Sequence, residues 1–440
     1  IGGISMSSLS MILKSRGYSV SGYDRSKNDE TALLESNGIK ISYNIDESLP
    51  SAIDAVIFTA AVDESHPLMK AAKIRGIPTF SRAELLGHLG SEYAHSVGVA
   101  GTHGKSTTGG MISSICHNSP TCNSTYVIGA VLPFCRSAYK IGSDDKIIYE
   151  ACEYKNSFLS FFPSVAVILN IELDHTDFFK NIDDMISSFR KYLSNSKSAI
   201  INADNENALK TLNGYENPYK TYSIEKNNAD YYTKNLVFSH GFPSFDVYEN
   251  STFLLSLKLN VPGLHNVSNA LAAVAAARQI NISASDITTG LNNFCGVARR
   301  FEYLCDIKGA KLFDDYAHHP DEIRATLKAA KSLTDGRVIA VFQPHTFSRL
   351  KSFFDDFADA LSIADLVAVT DVFSAREIDD ASISGKMLAD KISAGIYIKT
   401  FDDIADFIIK NAQKNDVILL LGAGDINKVG QSIKKIQNTY

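Results

Sequence analysis

The sequence predicts an α/β protein of three domains, each built on a mostly parallel sheet. Three observations predict it. Short apolar runs alternate with helix-compatible stretches through residues 1–89 and again through 297–440, the rhythm of strand–helix–strand units. Between these segments, the strand-like run from Val97 ends in the glycine turn Gly101-Thr102-His103-Gly104-Lys105-Ser106, and a helix pattern follows at once. Polar clusters fall directly after apolar strands, where open α/β sheets bind their ligands. At 440 residues the chain has length for two to four domains.

In the first segment, the glycine turn at Gly2-Gly3 leads into an apolar helix over 6–14, so it reads as the turn after a first strand that this sequence lacks. Ile1 is not a natural start, and the natural N-terminus is expected upstream. Strands are expected over 18–23, 55–59 and 77–79, with a helix over 81–89. Asp24 stands about twenty residues past the glycines, at the end of a strand, where such folds contact a ribose or base. A lone glycine turn supports a structural and a functional reading equally.

The second segment, 90–296, carries the phosphate-type loop. A helix N-terminus presents unpaired N–H groups and partial positive charge. Gly101 and Gly104 would let backbone approach a phosphate, Lys105 would reach the terminal phosphates and Ser106 would ligate Mg²⁺. The glycine spacing departs from the strict pattern. Even so, a bare GxxGK[ST] arises by chance in only roughly 1–2% of chains this long at ordinary glycine usage. Strands are expected over 147–151, 165–170 and 199–202. Glu150 closes the first of these. Asn170, Asp174 and His175 follow the second, so all four should converge near Ser106, Glu150 as a cation ligand. Residues 229–261 alternate like an antiparallel subsheet. Pro262-Gly263 then precedes an Ala-rich helix over 266–280. There, His265 or Asn266 reads as a plain N-cap, or Asn266 as a reader of an adenine edge.

The third segment, 297–440, should be doubly wound, with strands over 311–314, 338–342, 366–370 and 417–421. Arg299-Arg300 opens it. Asp314-Asp315-Tyr316-Ala317-His318-His319 and Gln343-Pro344-His345-Thr346-Phe347-Ser348-Arg349 follow its strands, which points to one joint ligand site. An arginine there suits a carboxylate or phosphate.

Composition narrows the classes. With 43 Lys and Arg against 49 Asp and Glu, the net charge is −6, and no basic run suits a nucleic-acid binder. No apolar stretch reaches membrane-span length. Six cysteines form no CxxC pair and read as reduced thiols of a cytosolic protein.

Taken together, the motifs resemble those of the Mur ligases, and of their alanine-adding branch, along the whole chain. They are GGISMSS (2–8), GTHGKST (101–107), EACEYKNSF (150–158), NIELDHTD (170–177), PGLHNVSNALAA (262–273), RRFEYL (299–304), DDYAHHPDEI (314–323), FQPHTFSR (342–349) and LLGAGDI (420–426). DDYAHHP and FQPH are the most specific, because they separate that branch from the later ligases of the pathway. The resemblance implies a Rossmann-like UDP-sugar domain over 1–89, a central P-loop-type ATPase domain with an antiparallel subsheet over 90–296, and a Rossmann-like amino-acid domain over 297–440.

It also implies a reaction in peptidoglycan precursor synthesis. The carboxylate of UDP-N-acetylmuramate attacks ATP, and L-alanine then displaces phosphate from the acyl phosphate. ATP would lie on Gly101, Thr102, His103, Gly104, Lys105, Ser106 and Thr107, with Asn266 at adenine, Arg300 at the phosphates and Asp315 at the ribose. Ser106 and Glu150 would hold one Mg²⁺, and His175 a second shared with the substrate carboxylate. Lys105, His175, His318, His345 and Arg349 would act in catalysis, with His318 or His345 as the base. Tyr316, His318 and Arg349 would surround the alanine. Gly2, Gly3, Ser5, Asp24, Thr59 and Arg82 would hold the uridine diphosphate. The implied protein is cytoplasmic, a monomer or weak homodimer, with no nucleic-acid or membrane partner. The stretch 187–190 offers no lysine where several sister ligases carry a carbamoylated one, which fits the alanine-adding branch. The rivals are a murein-peptide-recycling ligase on the same scaffold, a less fitting folate polyglutamylating ligase, and an inactive nucleotide-binding regulator.

Overall fold

The computed structural model describes residues 1–437 except 46–48, 60–61, 144, 177, 376 and 378–381. Asp177, the last residue of the NIELDHTD motif, therefore lies outside the described residues. The chain forms two compact units. One comprises Ile1–Tyr231 with Ala272–Gly290, the other Tyr232–Leu271 with Leu291–Tyr440.

In the first unit the N-terminal segment opens with the helix Ile4–Ser15. Its strands are short and pair in parallel, as the rhythm predicts, but in two separate pairs rather than one sheet. Ser21–Tyr23 pairs with Lys40–Ser42, and Val56–Phe58 with Thr79–Ser81. The strand expected over 18–23 shrinks to three residues. Its first residue, Tyr18, is exposed and leaves the turn that ends the preceding helix. The helix Arg82–Ser91 begins at a Ser81–Glu84 capping box. A Cβ on Gly87 would stand 2.0 Å from the Ser160 carbonyl oxygen, so only glycine lets this helix lie on the segment Tyr154–Ser160. Leu9, Ile12, Leu86 and Leu89 share one apolar cluster with Tyr149, Phe158, Phe161 and Tyr192. The first 89 residues and the phosphate-loop region thus share a core.

Seven strands of that region's sheet lie within this unit. Their spatial order is Tyr219–Ser223, Ala199–Asn202, Val165–Ile168, His95–Ala100, Lys146–Glu150, Thr125–Leu132 and Ser137–Lys140. The last pair is antiparallel and the others are parallel. Val165–Ile168 and Ala199–Asn202 are buried along their whole length, which is why they read as unbroken apolar runs.

In the second unit, Tyr231–Ser239 (from Tyr232 on), Phe242–Glu249 and Thr252–Lys258 are neighbours in a sheet, the last two antiparallel. This is the subsheet that the alternation predicts. A six-stranded sheet follows in the order Glu302–Ile307, Ala310–Asp315, Val417–Leu421, Val338–Phe342, Leu366–Val369, Gly395–Tyr397. Only its first pair is antiparallel. Period-two alternation sorts its apolar residues. Val338, Ala340, Phe342, Val417, Leu419 and Leu421 join one cluster, and Ile339, Val341, Ile418 and Leu420 join the other. Both faces are covered, as a doubly wound sheet requires. Strands 310–315, 338–342 and 417–421 are adjacent and parallel, so the loops after Asp315, Phe342 and Leu421 emerge at one edge.

Candidate functional site

The first unit places its polar residues around the helix Lys105–Asn118. Gly101 (φ 150°) and Gly104 (φ 85°) hold conformations that a side chain disfavours, and no side chain caps the helix. Its first turn therefore keeps N–H groups available to an anion. Ser106 and Thr107 lie in that turn. The loop is stitched to the end of the neighbouring strand. Asn170 accepts from the His103 N–H at 2.8 Å and donates to the His103 carbonyl at 3.1 Å. The Thr102 hydroxyl donates to the Glu172 carbonyl at 3.0 Å and accepts from the Glu172 N–H at 2.9 Å. The His103 ring lies 3.2 Å from the Glu172 carboxylate.

Lys105 folds back on its own loop. Its Nζ donates to the carbonyls of Gly101 and Thr102 and to Glu153, whose two oxygens lie 3.1 and 3.0 Å away. Glu153 is fully buried, and the His175 Nε2 stands 3.6 Å from it. Burial pushes the Glu153 carboxyl up, but the Lys105 charge and the His175 hydrogen bond outweigh it and leave the group below its usual range. Burial likewise opposes the Lys105 charge, and Glu153 overrides it and raises the ammonium. His175 adopts a left-handed backbone (φ 51°), uncommon for a residue with a side chain. The buried Asp174 accepts its N–H at 2.7 Å, and the Tyr154 ring lies against the imidazole at 4.7 Å.

Glu150 acts on Lys105 through its charge but is engaged elsewhere. Its carboxylate accepts from the Gly129 N–H, and a Cβ on Gly129 would come within 3.0 Å of both its oxygens. The carboxylate that structure brings between Lys105 and His175 is Glu153, which the sequence reading passed over. Both glutamates lie in EACEYKNSF three residues apart, and no signal in the sequence says which one the chain turns inward.

The N-terminal glycine turn also gathers expected residues. The Gly2 N–H donates to Asp24 at 2.7 Å, and a Cβ on Gly2 would lie 2.9 Å from that carboxylate and 2.4 Å from Thr31. Gly3 is the uncapped N-cap of the first helix. Arg82 donates to the Ser5 hydroxyl at 2.9 Å, which brings these two together across 77 residues. Thr59 follows the strand Val56–Phe58, and its carbonyl accepts from the Val62 N–H.

The second unit builds its cluster at the shared strand edge. Arg299 reaches Asp314 at 3.1 Å and the carbonyls of Gly422 and Gly424 at 2.7 and 3.1 Å. Both Arg299 and Arg300 approach the Tyr316 ring, at 4.9 and 5.4 Å from its centre. Asp315 is buried and accepts from the N–H groups of Ala317 and Phe301 at 2.7 and 2.9 Å. Burial pushes Asp314 and Asp315 each up to about 6, against the pull of Arg299 and Arg300. His318 lies 5.8 Å from His345 between ring centres, and His345 is 3.4 Å from Arg349. His319 instead turns into the protein and caps the helix Pro320–Leu333. Glu322, also passed over in sequence, holds Arg300 at 3.3 Å and faces His318. The Ala-rich helix starts at Leu264, so neither His265 nor Asn266 is its N-cap. The Asn266 amide donates to the Pro262 carbonyl at 2.8 Å and accepts from Asn269 at 3.2 Å, locking the turn before the helix.

Comparison with known proteins gives a consistent result. Family profiles described as "Mur ligase family, catalytic domain", "Mur ligase middle domain" and "Mur ligase, glutamate ligase domain" match residues 1–94, 99–277 and 299–424. The UDP-N-acetylmuramate–L-alanine ligase of Agathobacter rectalis is 41% identical over 444 residues, covering 99% of this chain and 96% of that protein. Among solved structures, the UDP-N-acetylmuramate-alanine ligase of Thermotoga maritima superposes with a TM-score of 0.82 at 28% identity, over 100% of this chain and 98% of that one. A murein peptide ligase from Psychrobacter arcticus shares the fold, with a TM-score of 0.74 at 23% identity, over 100% of this chain and 98% of that one.

Proposed function

This chain belongs to the Mur ligase family, and we propose that it joins L-alanine to the lactyl carboxylate of UDP-N-acetylmuramate in peptidoglycan precursor synthesis. It is an ATP-dependent, amide-bond-forming enzyme. The observation that carries the reading is the Lys105–Glu153–His175 trio beside an uncapped helix N-terminus. The 41% identical alanine ligase, aligned over nearly the whole chain, supports the choice of amine.

A carboxylate does not condense with an amine at neutral pH, because it is anionic and lacks a leaving group. Attack on the γ-phosphate of ATP supplies one, as an acyl phosphate. Two anions must meet in that step, and positive groups fixed in advance lower its barrier. Lys105 would exchange the carbonyls of Gly101 and Thr102 for phosphate oxygens, while the N–H groups of the first helical turn, 105–107, receive the rest. Among the described residues, no three His, Cys, Asp or Glu side chains gather as a cage for a cation. Mg²⁺ needs no such cage, because it keeps waters and takes phosphate oxygens beside one or two protein ligands. A fully buried carboxylate with an imidazole beside it fits that demand, so Glu153 and His175, with the Ser106 hydroxyl, are the groups that would hold it. We give this role to Glu153 rather than Glu150, which the Gly129 N–H engages. Bound there, Mg²⁺ would offset phosphate charge.

In the second unit, Arg300 would meet a phosphate and Asp315 the ribose, with Asn266 near the adenine. Tyr316, Arg349, His318 and His345 would receive the alanine, and one of the two histidines would take its ammonium proton. Gly2, Gly3, Ser5, Asp24, Thr59 and Arg82 would hold the uridine diphosphate. The functional segments remain 1–89, 90–296 and 297–440. Among the described residues, no helix is long and apolar enough to cross a membrane, and the reading places the work in the cytoplasm, where its nucleotide substrates are. The test is phosphate release with UDP-N-acetylmuramate and ATP against a panel of amines. Release with L-alanine is the expected result. Release only with a tripeptide would make the chain a peptide-recycling ligase, and none with any amine would end the enzymatic reading.

A further inference from the structure

Glu322 is the third residue of the helix Pro320–Leu333, a position that commonly caps a helix. A cap needs one bond, to the His319 N–H, which lies at 3.3 Å. Glu322 does more. The same oxygen accepts from the His318 N–H at 3.0 Å and stands 3.3 Å from the His318 Nδ1. Its other oxygen lies 3.3 Å from the Arg300 guanidinium. The carboxylate is shielded from solvent, at 9% side-chain exposure. His318 Nδ1 is also 2.9 Å from the Tyr316 carbonyl oxygen. A carbonyl only accepts, so Nδ1 carries the hydrogen, and in the neutral ring Nε2 carries the lone pair.

The two histidines of the cluster therefore differ. His318 has a carboxylate at its rear nitrogen, which favours the imidazolium formed when Nε2 takes a proton. The Nδ1 of His345 lies 3.4 Å from the Arg349 guanidinium, whose like charge opposes the same event. Tyr316 stands edge-on to His318 at 5.4 Å, and the Arg300 charge is already engaged by Glu322.

We propose that Glu322 is a positioning residue that fixes the tautomer and direction of His318 and so makes His318 the base of the amide-forming step. In that step Nε2 takes a proton from the alanine ammonium. The freed lone pair forms the C–N bond to the acyl carbon. The C–O bond to the phosphoryl group breaks, its electron pair leaves with inorganic phosphate, and the nitrogen's surplus proton passes to solvent. The inference rests on the alanine-ligase reading above.

Hydroxylamine separates the two halves of the reaction, because it is already neutral near pH 7 and needs no base to attack an acyl phosphate. The experiment compares alanine product with hydroxamate formed by the full-length protein from UDP-N-acetylmuramate and ATP. In Glu322→Gln the amide still caps the helix, as glutamine does at this position, and Asp315 remains as a carboxylate acting on Arg300, so the charge is lost from a protein whose folding is checked by its thermal transition. Alanine transfer is expected to fall on the order of 10²-fold, with hydroxamate formation at the wild-type rate. His318→Asn should show the same split, and the double variant should be no worse than His318→Asn alone, because Glu322 acts through His318. Equal loss of both products in Glu322→Gln, or additive losses in the double variant, would overturn the inference. Wild-type protein that forms neither product would instead overturn the ligase reading itself.

Discussion

Replacing Lys105 by alanine strikes stability and chemistry through different atoms, and the two can be separated. Glu153 has no exposed side-chain surface, and Lys105 is the cation beside it at 3.0 Å. Removing one partner of a buried pair leaves the other charge uncompensated, at a cost of about 3–5 kcal/mol. At 2–4 °C per kcal/mol for a domain of 150–250 residues, the transition of the first unit should fall by roughly 6–20 °C. The loss depends on pH, with a sign that follows from the pair. In the wild type Lys105 keeps Glu153 below its usual range. Without it, burial raises the folded-state value above the unfolded one. The stabilisation from the held proton is then fully present below the unfolded value of about 4.3 and is lost as pH rises through the raised one. Thermal scans of Lys105→Ala should therefore show a smaller deficit near pH 5 than at pH 8. Adding Glu153→Gln removes the stranded charge and should restore most of the stability. It should not restore turnover, which Lys105→Ala lowers on the order of 10²–10³-fold by deleting a donor to the transferring phosphate. Equal deficits at both pH values, or no recovery in the double variant, would refute the ion-pair argument. Near-normal ligation by Lys105→Ala would refute the phosphate-loop assignment.

Titrating Mg²⁺ into steady-state assays should distinguish the two glutamates: Glu153→Gln is expected to raise the half-saturating concentration by about tenfold or more, and Glu150→Gln to change it much less. Asp315 holds its proton up to about 6 in the folded state, so its contribution to stability is present below about 3.9 and lost as pH rises through 6. Asp315→Asn should accordingly gain stability relative to wild type between pH 4 and pH 7.5, by up to about 3 kcal/mol, read from urea midpoints; a constant difference would count against the raised value. Gly87→Ala should cost about 1–3 kcal/mol or more, because its Cβ meets the Ser160 backbone at 2.0 Å; an unchanged melting temperature would show that the helix contact is looser than described.

Much of the candidate site could be read from the chain because parallel sheets deliver their loops to one edge. Once Val338–Phe342 and Val417–Leu421 read as buried strands, the polar residues after them had to emerge near the residues after Asp315. The burial of Glu153 and Glu322 could not be read in that way. Each lies within a quoted motif, yet a glutamate looks the same in sequence whether it faces water or an ammonium. The strands of the first segment were foreseen as parallel but not as two separate pairs, since three-residue strands carry too little pattern to show which strands become neighbours.

Sequence by itself determined the class of fold, the glycine turn that offers a helix N-terminus at 101–107 and the gathering of polar residues at 314–319 and 343–349. Each of these depends on periodicity or on residue type at short spacing, which local physics controls. Tertiary structure alone decided which carboxylate lies beside Lys105 and His175. The Gly129 N–H engages Glu150, while Glu153 packs without solvent between Lys105 and His175. It also decided which histidine of the adjacent pair faces the site. His319 caps a helix, and His318 sits between Glu322 and the Tyr316 carbonyl. These choices are settled by burial and long-range partners, because an ionised group leaves water only where an opposite charge or a hydrogen bond already waits.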